Sequence, residues 1–138
     1  MNRILVIGAS GKTGRHVVPE VIARGAAVRA GSRHPEKLQF DGADPTRFDW
    51  DDETSWRPAL DGVHAVYLVK PPATDVVEVV GKFLDAMEVA GANRLVFLSE
   101  CATQTRADHI TERHAERLVE ASNLDWTILR PSWYMDDI

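Results

Sequence analysis

The chain has 138 residues, 44% of them hydrophobic, enough for one globular domain with its own core, expected over residues 1–138. Its 21 acidic against 16 basic side chains give a formal charge of −5, and no Lys/Arg cluster offers a face to nucleic acid. One cysteine, Cys101, excludes an internal disulfide and fits a reducing cytoplasm, while no apolar run is long enough for a secretory signal or a membrane span.

Arg3–Ile7 is a short continuous apolar run, the pattern of a parallel strand covered on both faces. Gly8-Ala9-Ser10-Gly11-Lys12-Thr13-Gly14 follows at once, and residues 15–24 then carry apolar side chains at helical spacing. Strand, glycine turn and helix in that order make a phosphate-binding start. Gly8 permits the reversal, Gly11 lets backbone approach a diphosphate, and Gly14 lets helix and strand pack closely. The helix N-terminus presents unpaired N–H groups and its positive dipole end to the anion. A dinucleotide cofactor is therefore expected. Gly11-Lys12-Thr13 also copies the end of a G-x-x-x-x-G-K-T nucleotide loop, but that pattern needs glycine at position 6, where Val6 stands.

The first helix should stop at Arg24-Gly25. Residues 26–30 read as the second strand, with Gly31, Ser32 and Arg33 at its C-terminal end. An acid there would accept from an adenosine 2′-hydroxyl, whereas an arginine suits a 2′-phosphate. Arg33, with Ser32 beside it, Lys37 close behind and no acid before Glu36, favours NADP(H) over NAD(H). Residues 35–38 suggest a short helix, 39–45 an irregular stretch and 46–49 a weak third strand. Asp49 at its end could accept from an adenine amino group, with Trp50 following. Asp51, Asp52 and Glu53 read as the solvated acidic first turn of a helix over 53–60, in which Pro58 sits deep.

Ala65–Val69 is the fourth strand, stopped by Lys70, Pro71 and Pro72. Asp75 with Glu78 resembles a capping box opening a helix over Val76–Ala90, whose stripe of Val76, Val80, Phe83, Met87 and Ala90 is core packing, and Gly91 closes it. Residues 94–99 form the fifth strand. A helix over 111–122 turns Ala115, Leu118 and Val119 inward, and residues 126–129 form the sixth strand. Alternating β and α units with right-handed crossovers predict an α/β, doubly wound parallel sheet of six strands in the order 3-2-1-4-5-6. Ligands then bind beyond the carboxyl ends of the strands, near the switch between strands one and four.

With those residues in view, the chain resembles the NmrA-like, atypical short-chain dehydrogenase/reductase family, particularly bacterial proteins related to ergot-alkaloid (festuclavine dehydrogenase-type) reductases. The resemblance rests on GASGKTGRHVV (8–18), VRAGSR (28–33), FDWDD (48–52), GVHAVYLVKPP (62–72) and RHAERLVEASNLDWTILRPSWYM (113–135). It implies a Rossmann domain that binds NADP(H) or NAD(H). Gly8, Ser10, Gly11, Lys12, Thr13 and Gly14 would hold the pyrophosphate. Ser32 and Arg33 would take the adenosine end, Asp49 and Trp50 the adenine, and Val69, Lys70 and Pro71 the path to the nicotinamide ribose. Two departures matter. The family's substrate-binding C-terminal segment is expected to be missing, and the Tyr-x-x-x-Lys acid pair of ordinary short-chain reductases is absent, since Lys70 lies three residues after Tyr67.

Chemistry then falls to weaker candidates: Ser99 at the end of the fifth strand, His114 on the helix where the missing pair would belong, and Cys101 as a nucleophile or redox sensor. The five histidines show no metal-ligand spacing, so no metal is expected. Two functions compete. One is the cofactor domain of an NADPH-dependent oxidoreductase acting on a small unsaturated or carbonyl substrate. The other is a non-catalytic dinucleotide redox sensor acting on a protein partner. Trp133, Tyr134 and Met135 would then be free to meet a partner or a second copy.

Overall fold

The structure is a computed structural model that describes residues 2–71, 75–99 and 111–131. Its elements are β1 (Arg3–Ile7), α1 (Gly14–Ala23), β2 (Ala27–Ser32), β3 (Ala43–Arg47), α2 (Trp56–Leu60), β4 (Ala65–Val69), α3 (Val76–Ala90), β5 (Arg94–Leu98), α4 (Thr111–Ala121) and β6 (Asp125–Leu129). All neighbouring strands pair in parallel. The order is β3-β2-β1-β4-β5-β6, the Rossmann-like sheet the alternation predicts.

Period-two alternation sends successive strand side chains to opposite faces. Leu5, Val66, Leu68, Leu95 and Phe97 form one buried cluster with side chains of α2, α3 and α4. Val6, Val28, Ala30 and Tyr67 form a second cluster on the other face, against Val18 of α1. The chain thus crosses over on one face while it builds β2 and β3. It uses the other face from α2 onward, and the switch lies between β1 and β4. Among the described residues no helix is long and apolar enough to cross a membrane.

Several local details differ from the sequence pattern. β3 begins at Ala43 and contains Pro45, and residues 48–49 lie just past its end. An edge strand tolerates the proline because its missing N–H can face away from the sheet. Residues 53–60 are not one helix: Glu53–Ser55 wind as a 3-10 turn and only Trp56–Leu60 are α-helical. Pro58 is accommodated because it falls in the first turn of α2, where an N–H would have no acceptor within the helix. The expected capping box at α3 does not form. Asp75 makes no side-chain cap bond, and its carbonyl accepts from Val79 N at 3.0 Å. The C-terminal end does follow expectation, with Gly91 left-handed at φ 82°.

One strand residue breaks the apolar pattern. Arg29 of β2 is only 8% exposed. Its Nη1 donates to the carbonyls of Pro58, Ala59 and Asp61 at 3.2, 2.8 and 2.8 Å. It thereby adds a charged donor at the end of α2, where Pro58 O also accepts from Asp61 N at 3.4 Å.

Candidate functional site

The turn after β1 closes on one carbonyl. Gly8 takes φ +69°, which sends the chain out of the strand in a left-handed conformation. Gly11 N donates to Gly8 O at 2.9 Å, and Ala9 N donates to Gly31 O at 3.1 Å, tying the turn to the end of β2. A Cβ on Gly14 would lie 2.1 Å from Gly8 O, so the start of α1 passes directly against the turn. The close approach expected at Gly14 is therefore real, and its contact is the turn's own backbone.

Beyond the C-terminal ends of β1, β2 and β4 lies a cleft of about 460 Å³. It is lined by Gly8, Ser10 and Gly11 of the glycine turn and by Ser32, Arg33, His34 and Lys37 at and beyond the end of β2. Asp49, Trp50 and Asp51 line it from the segment after β3, and Val69 and Lys70 from the end of β4. Segments separated in sequence by up to half the chain thus converge at the switch point. Gly31 contributes to the floor, where a Cβ would meet Val6 O at 3.2 Å and Phe48 Cβ at 3.3 Å. Lys12, Thr13, Gly14 and Pro71 do not line the cleft. Lys12 is exposed, Thr13 turns toward β4, and Gly14 and Pro71 are buried.

The adenine-side candidates are held from behind. Asp49 N donates to Ser55 Oγ at 3.0 Å, and Asp49 O accepts from Trp56 Nε1 at 3.0 Å. The Asp49 side chain accepts from Asp51 N at 3.0 Å and lies 3.6 Å from Arg47. Trp50 packs edge-on against Phe48, Trp56 and Phe83 at centroid distances of 4.9, 5.8 and 5.1 Å. Such rigid aromatic packing fixes a half-buried indole at the cleft. Asp52 is not simply a solvated acid. Hydrogen bonds from Thr54 and then Arg47 hold its carboxyl below the usual carboxylate range, and it caps the 3-10 turn that follows.

The catalytic candidates sit elsewhere. His114 is exposed on α4. Ser99 is buried just past β5, and its hydroxyl donates to Glu116. Glu116, 0% exposed, also accepts from Arg113 Nη1 at 2.6 Å and from Arg130 Nε and Nη2 at 3.0 and 2.9 Å. Burial raises its pKa, but hydrogen bonds from Arg130, Ser99 and Arg113 outweigh that and leave it below the ordinary glutamate value. Nothing in the local sequence pattern marks Glu116 as buried beyond its position, which adjoins the inward stripe of Ala115 and Val119. Cys101, Glu100, Pro72, Trp133, Tyr134 and Met135 lie outside the described residues.

The donor set suits a dinucleotide. The glycine turn can receive a diphosphate, the exposed side chains of Arg33, His34 and Lys37 can receive a second anion, and the fixed Trp50 indole lines the same cleft. A parallel sheet in this order with a glycine turn at its switch point defines a Rossmann-type dinucleotide-binding domain. The chain belongs to the NAD(P)H-binding family, whose model matches residues 8–138, and is an NmrA-like, atypical short-chain dehydrogenase/reductase. Agroclavine dehydrogenase of Claviceps fusiformis is 30% identical over 142 residues, 97% of this chain and 47% of that protein. Festuclavine dehydrogenase of Aspergillus fumigatus is 30% identical over 153 residues, 98% of this chain and 48% of that protein. The chain therefore spans about half the length of these curated relatives. Among solved structures, the triphenylmethane reductase of a Citrobacter species, complexed with NADP(H), superposes with a TM-score of 0.84 at 21% identity, covering 99% of this chain and 51% of that one.

Proposed function

We propose that this chain is the cofactor-holding part of an NADPH-dependent oxidoreductase. One observation carries the reading: a single cleft is lined by the glycine turn (Gly8, Ser10, Gly11) together with Ser32, Arg33, His34 and Lys37. In this reading the diphosphate lies against Gly8, Ser10 and Gly11, and Lys12, Thr13 and Gly14 shape the turn that holds them. Arg33 and Ser32 take the 2′-phosphate, and Asp49 and Trp50 take the adenine. Val69 and Lys70 flank the nicotinamide ribose, with Pro71 packed behind them. When bound, the nicotinamide supplies a hydride for a small unsaturated or carbonyl substrate, while the chain supplies position and charge.

The test is titration with NADPH and NADH, followed by fluorescence. Arg33 should give NADPH the tighter binding, and Arg33→Asp should reverse the order, since the arginine's charge-assisted bonds to a phosphate become repulsion. Equal affinities in the wild type, or an unchanged NADPH affinity in the variant, would remove the assignment. A second reading, a non-catalytic redox sensor acting on a protein partner, is favoured by one feature. Ser99 is committed to Glu116 and His114 faces solvent, so neither candidate acid reaches the cleft. Turnover of enones, quinones or imines supports the oxidoreductase, whereas tight binding with no turnover across that panel supports the sensor.

A further inference from the structure

Among the described histidines only His34 lines the cleft. His16 lies on α1, His64 just before β4 and His114 on α4. The His34 backbone is held on both sides. Its N–H donates to Ser32 Oγ at 3.1 Å, and its carbonyl accepts from Lys37 N at 3.0 Å, across a 3-10 turn that Pro35 opens. The ring therefore stands in one short, braced segment with Arg33 and Lys37, all three exposed and all lining the cleft. His34 Nδ1 lies 3.6 Å from Glu36 Oε1. That contact occupies one ring nitrogen, and Nε2 is bonded to no described residue. Asp49 and Asp51, from the segment after β3, and Lys70, at the end of β4, face the same cleft. Carboxylates, ammonium and guanidinium groups ordinarily keep their charge between pH 5 and 8, whereas imidazole changes its charge there.

We propose that His34 is a specificity-determining residue whose protonation strengthens the choice of NADP(H) over NAD(H). As imidazolium it adds a third cation to Arg33 and Lys37 at the 2′-phosphate. Glu36 is then the counter-ion at Nδ1, and Nε2–H is the donor to a phosphate oxygen. The inference rests on the dinucleotide reading above and deepens it, since it makes cofactor preference a function of pH. The preference should rise as pH falls. A second effect runs the other way, because a phosphate monoester itself loses negative charge below about pH 6. That loss belongs to the ligand and is the same for every variant, so the gap between wild type and a His34 variant isolates the imidazole.

The experiment is calorimetric titration of wild type, His34→Gln and His34→Lys at about pH 5.5 and pH 8, either side of the ordinary imidazole titration. The probes are NADP+ and NAD+, which differ only in the 2′-phosphate and survive the acid condition in their oxidised forms. At the lower pH the wild-type preference for NADP+ should exceed that of His34→Gln by about three- to tenfold, between the worth of an exposed ion pair and that of a charge-assisted bond. At the higher pH the two should agree within about twofold, as the neutral ring adds no charge. His34→Lys, a cation throughout, should keep the larger preference at both pH values. NAD+ affinity should be the same in all three proteins. An identical preference in wild type and His34→Gln at the lower pH would overturn the proposal. So would a gap of equal size at both pH values, which marks a structural role, or an equal loss of NAD+ affinity, which marks general damage to the cleft. These outcomes leave the dinucleotide reading in place. Wild-type protein that binds neither nucleotide would remove that reading, and this inference with it.

Discussion

Glu116 offers the sharpest test of the packing logic. Its carboxylate is inaccessible to water and accepts from Arg113, Arg130 and Ser99, which come from α4, the end of β6 and the end of β5. Replacing it with alanine leaves two guanidinium groups facing a small hole. Breaking a buried ion pair from one side costs about 3–5 kcal/mol, because the partner charge stays buried and unpaired. The lower end applies here, since the Arg113 and Arg130 side chains keep 14% and 26% exposure and Arg113 retains Glu120 at 3.4 Å. About 3 kcal/mol in a domain of this size should lower the thermal midpoint by roughly 10 °C. Urea unfolding followed by circular dichroism measures the free energy directly, and an unchanged m-value would confirm that the native state alone is perturbed.

The pH dependence gives an independent check. Because the folded pKa of Glu116 lies below its usual value of 4.5, its contribution is complete above that value and is lost as pH falls through the folded pKa. The stability gap between wild type and Glu116→Gln should therefore hold steady near neutrality and narrow below about pH 4.5. A triple variant, Arg113→Met with Glu116→Leu and Arg130→Met, should recover most of the loss, since apolar replacement of a whole buried ionic cluster is often neutral or stabilising. The reasoning fails if Glu116→Ala costs less than about 1 kcal/mol, the range of an exposed pair. It also fails if the gap to Glu116→Gln is the same at pH 3 and pH 7.

Other changes separate conformational from steric demands. Gly8→Ala has open space for its methyl but must hold φ +69°, so it should lose about 1–2 kcal/mol by chemical denaturation, the penalty of the left-handed region. Gly14→Ala places Cβ 2.1 Å from Gly8 O. The turn must move, and the variant should lose both stability and any detectable NADPH binding in the fluorescence titration, whereas Gly8→Ala should keep some of it. Arg29→Met removes a charged donor from the carbonyls of Pro58, Ala59 and Asp61, of which Pro58 O keeps Asp61 N, and should cost about 2–4 kcal/mol in urea unfolding. Because α2 carries Trp56, which holds Asp49 O, its midpoint should recover only in part when NADPH is added.

Much of the fold lay in plain view along the chain, for a physical reason. Parallel strands buried on both faces read as uninterrupted apolar runs, and the glycine turn is a purely local device, so β1, β4 and the residues just past them could be placed without tertiary information. Arg33, Asp49 and Lys70 line one cleft because a doubly wound sheet delivers the ends of its strands there. What stayed hidden were polar side chains inside elements. Tyr67 and Arg29 sit in otherwise mostly apolar strand runs, and Glu116 sits beside the apolar stripe of a mostly charged helix. Each is explained by a partner 54, 30 or 14 residues away, and no local pattern encodes a pairing at that separation. A buried charge or phenol is tolerable only once distant backbone has supplied its partner. Periodicity therefore located the site's walls but could not show what braces them. Those braces are the residues whose replacement most directly tests whether the cleft is held open for a ligand or is merely a gap between strand ends.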